Sequence, residues 1–557
     1  LRGAPKAPGE DNCSSGHEDM NAARRFLERL EKAPFGFWLG AASFYGVSVL
    51  RALLEGSLEE ARSLWVQAYH WQSLLFVLVH LPLFFVSSIL GIALVLSAFS
   101  GEKPSRVLKA ALPFSPVILL PPILDAIFLG GGENLSYAGA ARQAWELLLH
   151  TFNFAHPIPG VTFGMRVEVL LVHLGLLLYP IAKGKGFWRG LGAAASFYLF
   201  LTLILGGLPG FIKSAWPGAF AGGLLLLDTQ KYALLQAFIS LALAAPLLWL
   251  ENPRILKTLF LGLRPVKAPF YLVMGLVGVG VGWALLGGAY PRLWQNPFDA
   301  AAVVGVELAL LLLYWAAVLI NDLFDYEIDL ANEKKTSLVL GLLNPAEAKA
   351  LAGGLVVAGA LIAASLGLSV LYIYLGAAFL VLAYSAPPFR LKRLPFLSTF
   401  TLALVATTFS LMGFSLFAKE KALVAFPGEL LAAFITGITL SFSLKDRTDA
   451  EGDRRGGIIT LFTLLPYRVA LCLSVSLAAL SFLAMPLILG VPKALIVAVP
   501  AAVGILALGV WRTYREGLMW LLTLFYALGV GAKLDGASLE LVYEKGVLTV
   551  AATRGTA

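Results

Sequence analysis

Two aspartate triads of identical spacing, Asp322, Asp325, Asp329 and, 124 positions later, Asp446, Asp449, Asp453, stand at the ends of long apolar runs. Positions i, i+3 and i+7 of a helix share one face, so each triad is expected to present its carboxylates as a row. Such a row repels itself unless a cation binds it. Hard oxygen ligands of this kind suit Mg²⁺, which keeps several waters and bridges carboxylates to substrate phosphates. One such motif beside a membrane is most often a solvated helix. Two with the same spacing, each with a lysine nearby, predict a two-metal site for a diphosphate.

Composition says what must position these residues. The chain of 557 residues is 59% hydrophobic and 14% charged, with a mean hydropathy of +0.81. Ordinary globular domains carry roughly 45–50% apolar and about 25% charged residues. An all-α polytopic membrane protein is therefore expected, since alternating strand patterns are missing from the apolar segments. Cys13 and Cys472 are far apart and imply no disulfide framework or zinc site. The formal charge of +8 does not signal nucleic acid, because Lys and Arg cluster between apolar runs, where they set topology.

Residues 1–19 are polar and aperiodic, and Met20 opens the amphipathic stretch MNAARRFLERLEK, where the structured chain is expected to begin. No apolar signal-peptide core precedes Ala33. Six spans are expected near 36–54, 72–99, 108–130, 164–182, 188–212 and 233–250. Nine more are expected near 268–289, 299–320, 350–366, 369–385, 396–418, 428–444, 463–488, 494–511 and 517–533. Basic clusters fall on alternate loops, from Arg24, Arg25, Arg29 and Lys32 through Arg254, Lys257, Arg264 and Lys267 to Arg390, Lys392 and Arg393. By the positive-inside rule, the N-terminus and both triads face the cytoplasm. The tail after Lys533 reads as two short β-like runs around Lys545-Gly546, on the opposite side.

The residues also carry a family resemblance. The stretch NDLFDYEIDLANEKK, Asn321 to Lys335, resembles the first aspartate signature of the UbiA superfamily of intramembrane prenyltransferases, and SLKDRTDAEGDRRGGIIT, Ser441 to Thr460, resembles the second. YSAPPFRLKR, Tyr384 to Arg393, is similar to the family's basic loop, and LRP at Leu263 to Pro265 to the entry of its first helix. The match covers about 255–535 and nothing before it.

The resemblance implies a nine-helix UbiA-like bundle, preceded here by about six additional transmembrane helices. It further implies Mg²⁺-dependent transfer of a prenyl chain from a polyprenyl diphosphate to an aromatic or lipid acceptor, with two ions expected. Carried over residue by residue, Asn321, Asp325, Asp449 and Asp453 become the metal ligands. Lys335, Arg390, Lys392 and Lys445 become the diphosphate cations. Asp322, Asp329 and Asp446 are further ligands, orienting groups or bases, and Tyr384 lines the cavity near the developing cation. The chain departs from the family after the first motif, where Asn332-Glu333-Lys334-Lys335-Thr336-Ser337 replaces the usual Arg-Pro pair.

The expected organisation is a cytoplasmic leader at 1–35, an N-terminal membrane domain of unknown role at 36–252, the prenyltransferase-like domain at 253–533 and an extracytoplasmic tail at 534–557. The expected setting is a prokaryotic cytoplasmic membrane. Rival readings are phosphoribosyl-type transfer onto a polyprenyl phosphate, or a cation-coupled transporter. Transporters place their ion sites near the bilayer midplane, whereas these triads end spans. In the N-terminal half, His150 and His156 flank TFNFA in a loop, and Asp125 lies within LPPILDAIFLG. A carboxylate inside a span usually faces a cavity or a partner; a structural hydrogen bond beside Pro121 and Pro122 is the alternative.

Overall fold

The structure is a computed structural model that describes residues 22–34, 36–58, 76–131, 136–221, 223, 225–264, 267–286, 296–447, 450–510, 539–544 and 547–553. Among these, twelve helices are long and apolar enough to cross a membrane, and the protein is an integral membrane protein. They correspond to twelve of the fifteen expected spans. The first expected span is the helix Phe37–Leu58, which carries a buried Arg51 and Glu55. The fourteenth is the shorter helix Leu495–Val510, and the fifteenth lies outside the described residues.

The chain divides into two compact units. One holds Leu1–Lys257, Arg292–Gly305 and Ala364–Leu366; the other holds Thr258–Pro291, Val306–Ala363 and Gly367–Ala557. In the first unit, the helix Leu81–Ser100 packs against Asp228–Glu251 and Phe187–Leu199. Ser87 Oγ fixes the first of these contacts by donating to the Gln236 carbonyl at 3.1 Å. The expected span at 108–130 is Pro104–Leu129, in which Pro113 and Pro116 remove backbone donors and the middle winds as a 3₁₀ segment, Leu112–Leu119.

In the second unit, the helices Lys267–Leu286 and Leu397–Ala418 make the closest pairing. Glycines permit it, because a Cβ on Gly278 would strike the Ser410 backbone and one on Gly413 the Gly275 backbone. Small residues bring backbones together where no hydrophobic drive separates lipid from protein. The buried hydroxyls of Thr401 and Thr407 donate to carbonyls four residues back in their own helix, at 2.7 Å each, so they leave no donor orphaned. Leu397–Ala418 also packs on Leu368–Ser385 and Gly428–Ser441, and the order continues through Tyr467–Ile488 to Leu495–Val510. The tail forms the expected hairpin, Leu539–Glu544 paired antiparallel with Val547–Thr553.

Candidate active site

The helix Pro297–Phe324 carries Tyr314, Ala317, Val318 and Asn321 on one face, and that face continues through Asp325, Ile328 and Asp329. All seven line one cavity of about 630 Å³ in the second unit. The first triad is nevertheless not a row on one helix. The helix ends at Phe324, Asp325 adopts φ −110° and ψ 11°, and a short helix, Tyr326–Ala331, restarts beyond it. Asp325 and Asp329 face the cavity, whereas Asp322 does not line it. Asp322 instead accepts from Arg264 Nη2 at 3.2 Å, beside a separate cavity of about 50 Å³ that Thr258, Trp315 and Ser337 also line. The break lets one motif serve two environments.

The second triad is divided in a similar way. Asp446 belongs to a 3₁₀ segment, Phe442–Arg447, and Asp453 to the helix Ala450–Arg455. Both line the same cavity as Asp325 and Asp329. Asp449 lies outside the described residues. The helices Tyr326–Ala331 and Ala450–Arg455 touch, and glycine allows the approach. A Cβ on Gly452 would collide with the Asn332 side chain, and one on Gly456 with Ile328.

The basic loop closes the arrangement. Lys392 Nζ donates to Asp325 Oδ2 at 2.5 Å and to Asn321 Oδ1 at 3.0 Å, and Ser385 Oγ also reaches Asn321 Oδ1 at 3.3 Å. Arg390 Nη2 donates to Asp325 Oδ1 at 3.1 Å and to the Phe324 carbonyl at 3.0 Å. Arg390 therefore clamps Asp325 at the helix end and is not on the cavity wall. Arg264 and Arg390 both sit at φ 41°, a left-handed backbone that is uncommon for residues other than glycine. Such strain concentrates where surrounding contacts hold a functional geometry. The Ile459 N–H bonds the Arg393 carbonyl at 3.0 Å, tying this loop to the segment after the second motif.

The remaining cations complete the wall. Lys445 Nζ meets Asp446 Oδ1 at 3.3 Å and the Tyr384 hydroxyl at 3.1 Å, and lies 5.8 Å from the centre of that ring. Lys334 pairs with Asp329 at 3.4 Å, and Lys335 is exposed on the wall. Burial pushes the Asp329 carboxyl above the usual range, with Lys334 opposing the shift and the charge of Asp325 adding to it. Burial also lowers the Lys392 ammonium, against the pull of Asp325.

Sequence reasoning missed Arg264 as the partner of Asp322, as well as Lys267 and Lys334 on the wall and the aromatic residues Tyr271, Tyr314 and Phe409. Tyr271 lies 5.9 Å from Tyr314 and 5.7 Å from Phe409, centre to centre. Tyr314 was findable, because it precedes Asn321 by seven residues on one helix face.

Cavity residues thus include six Lys or Arg side chains and four aspartates, with apolar walls beyond them. A model of the UbiA prenyltransferase family matches residues 281–518. These residues form a UbiA-family domain. Over 200 residues the chain is 30% identical to 2-acylphloroglucinol 4-prenyltransferase of Humulus lupulus, covering 35% of this chain and 48% of that protein. Over 154 residues it is 34% identical to digeranylgeranylglyceryl phosphate synthase of Methanothrix thermoacetophila, covering 28% and 55%. The chain spans about half the length of the curated relatives it matches. Among solved structures, a UbiA homolog from Archaeoglobus fulgidus bound to DMAPP and Mg²⁺ covers 50% of this chain and 98% of its own, at 21% identity and a TM-score of 0.37.

Proposed function

We propose that the UbiA-family domain transfers a prenyl chain from a prenyl diphosphate to an aromatic or lipid acceptor inside the membrane, with a divalent metal ion. The supporting observation is that both aspartate motifs and the basic loop line one cavity whose deeper wall is apolar, through Tyr271, Leu402, Val405, Phe409 and Phe482. A compact polyanionic head matches the charged end and an isoprenoid tail the apolar end. That wall favours a prenyl substrate over a sugar phosphate.

The donor set fits a hard cation, since carboxylates and the Asn321 amide oxygen face the cavity and, among the described residues, no Cys or His does. Among the described residues no three acidic, His or Cys side chains converge as a preformed cage, and Asp325, Asp329 and Asp446 each meet a lysine. Asn321, Asp325, Asp449 and Asp453 would hold Mg²⁺, one ion for each motif. Bound there, the metal supplies Lewis-acid charge to the departing diphosphate.

The chain's own residues do the rest. Lys392, Lys445 and Lys335 offer ammonium groups to diphosphate oxygens, while Arg390 keeps Asp325 aimed at the cavity. As the allylic C–O bond breaks, the electron pair leaves with the diphosphate. Tyr384, Tyr271 and Tyr314 surround the allylic fragment with ring faces that tolerate positive charge and exclude water that would quench it. The acceptor then forms the new bond at the allylic carbon and loses a proton, for which Asp446 and Asp329 are the carboxylates on the wall. Asp322, turned away toward Arg264, holds the helix end and takes no part at the reacting atoms.

We place the motif ends on the cytoplasmic side, as the basic loops require, and the transfer function in residues 253–533. The decisive measurement is Mg²⁺-dependent release of diphosphate from geranylgeranyl diphosphate, with prenylated product followed by mass spectrometry over a panel of phenols and glycerol phosphates. Wild-type protein should turn over at least one class. Metal-dependent activity that survives Asp325→Ala would sink the assignment.

A further inference from the structure

The N-terminal unit holds a second cavity, partly open at its surface and of about 710 Å³, which the transfer chemistry does not use. Small-molecule sites typically measure about 300–1,000 Å³, with apolar walls and a few convergent polar groups. Here Phe44, Phe84, Phe85, Ile89, Met165 and Leu176 contribute apolar wall. Among the described residues, the ionisable groups that reach it are Arg51, Glu168, Tyr137 and Tyr179, and the Tyr179 hydroxyl is spent on Glu31 at 2.7 Å.

These groups are incompletely satisfied by the protein. Arg51 Nη1 donates to Glu55 Oε2 at 2.7 Å, and the two side chains are 1% and 0% exposed. The pair consumes one guanidinium nitrogen and leaves Arg51 Nε buried with no acceptor. Glu168, on the helix Phe163–Ala182, lines the cavity within electrostatic reach of Arg51 and Glu55. It makes no hydrogen bond among the described residues. The Tyr137 hydroxyl is already engaged, by His80 Nε2 at 2.7 Å and Gln236 Nε2 at 3.4 Å. An orphaned donor and an unbonded carboxylate in an apolar wall are costly unless something pairs with them.

Charge decides what that is. Among the described residues one guanidinium faces two carboxylates, so a phosphate head would meet a net negative surround. A hydroxyl suits both open positions, because it can donate to Glu168 while accepting from Arg51 Nε. We propose that the N-terminal unit binds one neutral lipid, a long-chain alcohol or phenol, with its tail along the aromatic and aliphatic wall and its hydroxyl against Glu168 and Arg51. This site stands whether or not the C-terminal unit transfers prenyl groups.

The test uses the full chain in lipid nanodiscs and tritiated geranylgeraniol with a diazirine in its tail. Geranylgeranyl phosphate and squalene serve as competitors. Saturable labelling of peptides from residues 81–100 and 163–182 is expected, with both competitors at least about tenfold weaker. Glu168→Gln should weaken binding about tenfold, the scale of one hydrogen bond to a charged group. Gly175→Phe should abolish it. Gly175 lines the cavity, and a Cβ there meets no atom within 4 Å, so the new ring enters free space while the protein keeps its elution profile. The proposal is overturned if the phosphate competes as well as the alcohol, if labelling maps only to residues 258–510, or if both variants bind as wild type does.

Discussion

Two cavities of similar size, about 630 and 710 Å³, occupy the two units of one chain and are built from opposite chemistry. In the C-terminal unit, cations and carboxylates alternate around a charged end. In the N-terminal unit, apolar side chains dominate, and Arg51, paired with Glu55, and Glu168 are the charged groups on the described wall. The difference teaches what a buried carboxylate is for. Asp325 is held from two sides by Lys392 and Arg390, a geometry that keeps it aimed. Asp125 is also fully buried, but it accepts the Gly164 N–H at 2.7 Å near the start of the helix Phe163–Ala182. It satisfies one of the orphan donors that begin any helix. One carboxylate oxygen thus makes a structural bond, while Oδ2 is buried with no hydrogen-bond partner among the described residues.

Breaking the carboxylates proposed to hold the metal should have the largest effect. Asp325→Ala or Asp453→Ala is expected to lower turnover by at least about a hundredfold, the scale of losing one charge-stabilising group, with the protein still monodisperse in detergent. Residual activity near wild type in either variant would erase the contrast between the cavities. Lys392→Met comes next. It removes one of two cations from Asp325, and diphosphate affinity measured by calorimetry with Mg²⁺ should fall about tenfold to a hundredfold, as for a lost charge-assisted bond.

Gly456→Val probes the approach of the two motifs. The added side chain would meet Ile328, and overpacking of this kind costs about 1–3 kcal/mol. Metal affinity should therefore drop together with the thermal midpoint, and a midpoint loss without an affinity loss would show that the contact is merely structural. Asp125→Ala should act on stability alone. Stranding the Gly164 N–H costs about 1–3 kcal/mol, lowering thermal stability with prenyl transfer unchanged. The smallest effect is expected from a chain starting near Pro253. It should still insert and bind prenyl diphosphate with Mg²⁺, because six crossings are removed together. A well-inserted chain that binds none would show that the N-terminal unit contributes to the C-terminal site.

Much of the site was legible because its chemistry is local. Asn321, Asp325, Lys392 and Asp453 announce themselves by type, spacing and place at span ends. Other features required distant partners. Nothing in sequence joins Arg264 to Asp322, 58 positions apart, or turns Asp322 off the wall while Asp325 stays on it. The pair His150 and His156 gave no signal of its stacking, with ring centres 4.1 Å apart. Nor did Arg166 show that it gathers the carbonyls of His150, Thr151 and His156.

Composition and hydropathic period alone determined that this chain is helical and membrane-embedded, since a segment of some twenty apolar residues has few other stable states in lipid. The repeated triad carried the expectation of a divalent cation, since clustered hard oxygens call for one. Tertiary structure decided which carboxylates share a cavity, because the clamp on Asp325 at the helix break and the close glycine packing at Gly452 and Gly456 depend on elements far apart in the chain. It also decided that the N-terminal unit holds a cavity at all. Voids are set by how side chains from separate helices fail to interdigitate, and no single helix carries that information.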